Sequence, residues 1–340
     1  MSAVSNINGE IPFAPKSSGN HSRKKLILTI LSRYGTLIGL GGMIIIFTIK
    51  APGTFPTVSN FTNILSQASL TVIIASGLTM TLVVGEFDLS IGYAASFLGL
   101  IIAGLLAHNK LPILIAIILV LALGALIGTL NGVLVAKAKI NAVIATLGVG
   151  TALVGVGFAY STYPIVEGVP TSFTSISLGH LVFGIPNLIL IMLIVISILW
   201  VILNKTDLGQ KMQAVGGNIE AAKLSGIRVD RIKIFAFAIA GICAALTGGL
   251  LSSLLGSGTL AAADGYLLDS FAAVFLGSAT LRDGEFHIVG TLVGALVINI
   301  GFNGLSIFGA PTYFQQIFQG GILVLAVGLS TLSRKYSKDS

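Results

Sequence analysis

Charge is what this sequence has least of. Only 9% of its 340 residues are Asp, Glu, Lys or Arg, against about 25% in an ordinary soluble domain. The 19 basic and 12 acidic side chains are too few to clothe a water-facing surface of this size. With 54% hydrophobic residues and a mean hydropathy of +0.99, the composition excludes a soluble enzyme, a disordered protein and a nucleic-acid-binding module. Cysteine is nearly absent. Cys243 alone permits neither an intramolecular disulfide nor a cysteine-based metal cage. No G-x-x-x-x-G-K-[ST] phosphate loop, H-E-x-x-H or G-x-S-x-G motif occurs, and the four His residues (21, 108, 180 and 287) are scattered. Nothing in the chain clusters a nucleophile, a base or metal ligands at membrane depth.

What is present is apolar and rich in glycine. Spanning a bilayer takes roughly 20 mostly apolar residues in a helix. Such stretches fall at 34–49, 61–84, 91–107, 112–135, 140–162, 184–203, 234–255, 267–281, 288–307 and 317–333. Runs such as Ile113-Leu114-Ile115-Ala116-Ile117-Ile118 do not alternate, which excludes membrane β-strands. The 42 glycines suit close helix contact in lipid. The expected fold is an all-α polytopic membrane protein of about ten transmembrane helices, the third and eighth short. Instead of a short apolar core followed by a small-residue cleavage site, the first apolar segment continues through Gly39-Leu40-Gly41-Gly42 to Ile49, so it reads as an uncleaved helix.

Charge placement sets the orientation. With a cytoplasmic N-terminus and ten crossings, the inside segments are 1–33, 85–90, 136–139, 204–233, 282–287 and 334–340. They hold 17 of the 19 basic residues, leaving Lys50 and Lys110 outside. Both termini are then cytoplasmic: a disordered tail over 1–33, a permease body over 34–333 and a short tail over 334–340. The longest outside loop, 163–183, reads as a solvated connection. The inside loop 204–233 holds nine charges. Within it, Ile219-Glu220-Ala221-Ala222-Lys223-Leu224 predicts a short helix, preceded by Gly216 and Gly217, capped by Asn218 and ended by Gly226. That loop either docks into a partner or lies on anionic lipid.

Two further features invite function. Gly85-Glu86-Phe87-Asp88-Leu89-Ser90 sets two carboxylates between apolar stretches. Either Glu86 and Asp88 shape a helix break on a substrate path, or they sit in a solvated cytoplasmic turn. A shorter echo, Gly284-Glu285-Phe286-His287, follows the eighth apolar stretch and is either an internal repeat or chance. The amides Gln67, Asn131, Asn299 and Asn303 lie inside apolar runs. They either bond between helices or line a path for a hydroxylated solute.

Three stretches together resemble the ribose-type permeases of bacterial ABC importers: Gly85 to Gly92, Asn131-Gly132-Val133-Leu134-Val135-Ala136-Lys137, and Ile144-Ala145-Thr146-Leu147-Gly148. The cytoplasmic stretch from Ala214 to Ile227 is similar to that family's loop, as are Val274 to Ser278 and Gly290 to Gly294. The resemblance covers roughly 35–335. Glu220-Ala221-Ala222 followed by Gly226 matches the EAA-x3-G pattern by which such permeases dock a helix into their ATPase, without its longer tail. Glu86 and Phe87 stand where the family more often has Gly and Ile.

The resemblance implies a multi-pass subunit of the bacterial cytoplasmic (inner) membrane that performs no chemistry itself. It implies a cytosolic ABC ATPase holding the ATP, an extracytoplasmic solute-binding protein, and a second permease copy or paralogue. No cofactor on this chain and no nucleic acid are expected. The implied cargo is a sugar or sugar-like solute. The alternative is an ion-coupled secondary transporter using Glu86, Asp88, Asp264 and Asp269.

Overall fold

The computed structural model describes residues 19–182, 184–278 and 284–338. Thirteen helices and one small hairpin account for most of them. In chain order the first five helices are α1 (Gly19–Lys50), α2 (Val58–Val83), α3 (Ile91–Ala107), α4 (Ile113–Ala136) and α5 (Ala142–Tyr160). Next come α6 (Thr171–Leu178), the strands β1 (His180–Val182) and β2 (Ile185–Pro186), and α7 (Asn187–Lys205). The chain continues through α8 (Asp207–Gly217), α9 (Ile219–Leu224), α10 (Val229–Leu255), α11 (Gly265–Ser278), α12 (Ile288–Ile307) and α13 (Thr312–Lys338). Over the described residues, each of the ten apolar stretches overlaps a helix. Six of them, α2, α4, α5, α7, α10 and α12, are long and apolar enough to cross a membrane. Tyr34–Lys50, α3 and α11 are shorter apolar helices, as expected for the third and eighth stretches. Helix α1 begins at Gly19, inside the segment read as a tail, and residues 1–18, 183, 279–283 and 339–340 lie outside the described residues.

Helix ends follow local chemistry. Side-chain oxygens of Thr57, Asn141, Thr206 and Asn218 accept backbone N–H groups at the starts of α2, α5, α8 and α9. Pro112 and Pro186 precede α4 and α7, where their fixed φ suits an entering chain. The connection 163–183 differs from its expectation. It holds α6 and the first strand of the β1–β2 hairpin, and Phe173 and Ser177 of α6 are buried. Ser177 Oγ donates to the Leu250 carbonyl and Ser253 Oγ to that of Phe173. Polar composition hid an element that packs by small-residue hydrogen bonds.

Helix α10 is the hub. A Cβ on Gly241 would lie 2.1 Å from the Gly124 carbonyl oxygen, and one on Gly128 2.1 Å from that of Phe237. One turn-set further along, a Cβ on Gly248 would lie 2.1 Å from the Ala95 carbonyl. These helices touch backbone to backbone, an approach only glycine allows.

The loops sort to two ends. At one, Lys139 pairs with Asp230, Lys233 with Glu86, and Gly216 abuts Val83. This brings the segments 85–90, 136–139 and 204–233 together. At the other, Ile165 and Gly258 form a two-way backbone bridge of 2.8 and 2.9 Å, and Phe47 meets Phe308.

The glycine seam yields a prediction. Gly241→Leu is expected to abolish the monodisperse size-exclusion peak in detergent. Gly249→Ala, whose Cβ would meet only Ile102 Cδ1 at 3.6 Å, should leave the melting temperature within about 2 °C. A folded Gly241→Leu protein would refute the close packing of α10 on α4.

Candidate functional site

The segment between α2 and α3 is built by a glycine stop. Gly85 takes φ +83°. Its N–H donates to the Leu82 carbonyl at 3.0 Å, and the Glu86 N–H to that of Thr81 at 2.9 Å. This paired closure ends a helix when a left-handed residue follows it. The chain then turns inward. Asp88 is buried, and its Oδ1 accepts from Ser90 N at 2.9 Å and Ser90 Oγ at 2.6 Å. Asn131 Nδ2 of α4 donates to Ser90 Oγ at 2.8 Å. The Leu89 N–H donates to Thr146 Oγ1 of α5 at 3.0 Å. Three stretches distant in sequence, around Asp88, Asn131 and Thr146, therefore meet in one polar node joining α3, α4 and α5. In this turn, outside the helices, burial pushes the Asp88 carboxyl above the usual carboxylate range, while the bonds from Ser90 pull it down.

Glu86 points elsewhere. It is held by Lys233 of α10. Phe87 stacks on Phe271 and Phe275 of α11, with centroids 6.1 and 6.5 Å away. Phe286 meets Phe275 edge-on at 5.5 Å. The echo between the two Gly-Glu-Phe segments thus has a physical counterpart: Gly284 also has positive φ, at +92°, and both phenylalanines converge on α11. His287 of the second segment caps α12, its Nδ1 accepting from the Gly290 N–H at 2.9 Å.

The loop 204–233 carries two helices where one was expected, because Thr206 caps a further stretch as α8. Helix α9 is bounded as the residues predict. Asn218 Oδ1 accepts from Ala221 N at 3.0 Å. Gly226, at φ +79°, closes the end with N–H bonds from Gly226 to Lys223 and from Ile227 to Ala222. Ala222 faces inward. Glu220 and Lys223 form an exposed pair at 2.8 Å, and Leu224 is 90% exposed. Gly216 is required by contact, since a Cβ there would lie 1.8 Å from the Val83 carbonyl oxygen. Gly217 has open space beside it.

The remaining amides lie away from this turn. Asn303 and Asn60 exchange two hydrogen bonds, at 2.9 and 3.0 Å, across α12 and α2. Asn299 Nδ2 bonds the Ala295 carbonyl of its own helix at 2.9 Å. Gln67 is exposed. The structure brings together Glu86, Asp88, Asn131 and the loop glycines at one end of the bundle. It leaves Asn299 and Asn303 apart from them. Sequence reasoning missed Lys233, Ser90, Thr146, Asn60 and Leu224 as individual residues. For Ser90 and Thr146 the signal was present, since both lie within the stretches that carry the resemblance.

Six helices long and apolar enough to cross a membrane define the class of a multi-pass membrane protein. The pattern of the branched-chain amino acid transport system / permease component family matches residues 60–327, and the chain belongs to that family. Among relatives, it is 39% identical over 296 residues to the ribose import permease protein RbsC of Haemophilus influenzae, covering 86% of this chain and 91% of the relative. The Bacillus subtilis ribose import permease protein RbsC is 36% identical over 309 residues, covering 91% and 94%. The Escherichia coli galactose/methyl galactoside import permease protein MglC is 32% identical over 332 residues, covering 93% and 98%. These relatives bear out the resemblance to ribose-type permeases. No solved structure matches the chain significantly.

The node predicts a graded response. Ser90→Ala removes the acceptor of Asn131 and one donor to Asp88. It should lower stability by about 1–3 kcal/mol, read as a drop in detergent melting temperature with reduced uptake. Ser90→Thr, which keeps the hydroxyl, should lose less. Equal losses in both would refute a hydroxyl-dependent node.

Proposed function

We propose that this chain is the membrane-spanning subunit of an ATP-binding-cassette importer, forming the path for a sugar or sugar-like solute. It takes no part in bond chemistry. Ten crossings with both termini cytoplasmic place the end bearing α9 in the cytoplasm of a bacterial inner-membrane protein. Two observations support that sidedness: the segments 85–90, 136–139 and 204–233 share one end, and the inside segments carry 17 of the 19 basic residues.

The observation that carries the coupling role is α9 itself. It is capped at both ends, anchored through Ala222, and turns Glu220, Lys223 and Leu224 outward. An exposed leucine on a short, fixed helix suits insertion into a groove of a cytosolic ATPase pair that binds the ATP. An extracytoplasmic binding protein docks at the other end on 163–183 and 256–266, which the Ile165–Gly258 bridge ties into one surface. A second copy or related permease completes the path. ATP closure, acting through α9, biases which side the path faces, as any ligand-driven switch must by differential binding. The cargo class rests on the relatives, whose names specify ribose and galactose or methyl galactoside.

The ion-coupled alternative has weaker support, because each of its four candidate acids already has a partner of its own. Glu86 has Lys233, Asp88 has Ser90, Asp264 Oδ1 accepts from Ser96 Oγ at 2.8 Å, and Asp269 Oδ1 from Gln319 Nε2 at 2.8 Å.

Reconstitution with its ATPase and binding protein tests the proposal. Uptake of ribose or galactose should require ATP and persist with a protonophore present. Replacing Leu224 with Asp, or Gly226 with Val, should cut ATP-driven uptake by roughly tenfold or more while leaving membrane insertion intact. Uptake driven by an ion gradient without ATP would overturn the importer reading. Normal uptake in both variants would overturn docking through α9.

A further inference from the structure

The loop that carries α9 is attached to the α2–α3 turn twice, once on each side of α9. Before α9, Gly216 rests against the Val83 carbonyl, so closely that no Cβ fits. After α9, Lys233 reaches back to Glu86. This ion pair is unlike its neighbours. Its side chains are 13% and 16% exposed, whereas those of Lys139 and Asp230 are 69% and 48% exposed. Water and salt screen an exposed pair, so it contributes little. A sheltered pair is different: removing one partner strands the other charge in a poorly solvated place. The turn so gripped is also the one whose Ser90 and Leu89 bond Asn131 of α4 and Thr146 of α5. Chain connectivity alone joins α9 to α10 only through the residues 225–228. The two attachments make α9, the start of α10 and the turn 83–90 one mechanical unit.

We propose that Glu86 and Lys233 are positioning residues that tie the α9 loop to the α2–α3 turn, so that force on α9 reaches the polar node and with it α4 and α5. This rests on the importer reading above. The tie holds throughout the transport cycle; it is a strut, and the switch lies elsewhere.

The test uses the full complex in proteoliposomes and reads solute molecules imported per ATP hydrolysed. Glu86→Lys and Lys233→Glu should each lower that ratio roughly tenfold, within the range of ordinary coupling factors. The double swap, Glu86→Lys with Lys233→Glu, should recover most of it. Loss in both single variants and in the swap, with all three folded, overturns the tie. So does a wild-type ratio in both single variants. Should a single variant fail to fold, Glu86→Cys with Lys233→Cys in a Cys243→Ala background gives a second reading. Bridging the two thiols with a short bis-maleimide should preserve coupled uptake, because a strut tolerates being made permanent. Uptake abolished by the bridge and restored in the unbridged protein shows that the pair separates during the cycle and overturns the strut. Absence of ATP-driven uptake in the wild-type complex instead overturns the importer reading itself, and the strut with it.

Discussion

Everything in this bundle depends on backbones approaching at α10. Lipid offers no hydrophobic gain for pressing one apolar helix on another, so packing contact must supply the adhesion. Contact of that quality needs helices closer than ordinary side chains permit. Gly124 against Gly241, Gly128 against Phe237 and Gly99 against Gly248 provide it on two sides of α10. A parallel seam joins α11 to α12, where a Cβ on Gly294 would lie 2.0 Å from the Ala273 carbonyl. Closeness on this scale fixes register as well as distance, because a carbonyl oxygen sits where a Cβ would be. The loops at the ends inherit their positions from that register.

The α2–α3 turn shows how a fixed frame permits a polar interior. Asp88 would be untenable alone away from water, since an unpartnered buried carboxylate is strongly disfavoured. Ser90 satisfies it from within the turn, and Asn131 and Thr146 tie that arrangement to α4 and α5. Asn131 of α4 donates into the turn and Thr146 of α5 accepts from it, so the node is complete only when the turn and both helices are in place. Polar groups of this kind specify an arrangement more than they add to stability. Gly150 belongs to the same logic, because its missing side chain leaves room for Tyr93 beside Ser90.

Much of this was legible in the residues. The apolar stretches mark helices, and six of these are long and apolar enough to cross a membrane, because bilayer thickness imposes a length that soluble helices need not obey. Helix α9 was legible to the residue, since Asn218 and Gly226 act locally and need no knowledge of the rest of the fold. Other features were not. Lys233 reads as one more basic residue in a basic loop, and only three-dimensional proximity shows that it answers Glu86. Asn303 looked equally suited to a path or a clamp until Asn60 was found opposite it. Helix α6 escaped notice because its Ser and Thr residues resemble a solvated loop, although Phe173 and Ser177 pack inward. Local chemistry is written in neighbouring letters; pairing between distant ones is not.

The relation between hydropathy and position completes the physical account. Among the six long apolar helices, α4 is the most apolar yet mostly unburied. Helix α2 is the least apolar and is largely buried. In water the order would be reversed. In lipid, the outward face must be apolar, and only a helix surrounded by other helices can carry Ser69, Thr71, Ser76, Thr79 and Thr81. Several of these hydroxyls bond within the protein: Thr79 to the Ala75 carbonyl and to Thr291 of α12, and Thr81 to the Leu78 carbonyl. Moderate hydropathy along a long helix was therefore the sequence's own mark of the bundle centre. The turn that gathers Asp88, Glu86 and the α9 loop begins at the end of that helix because the centre is where polar partners from several helices can reach one another.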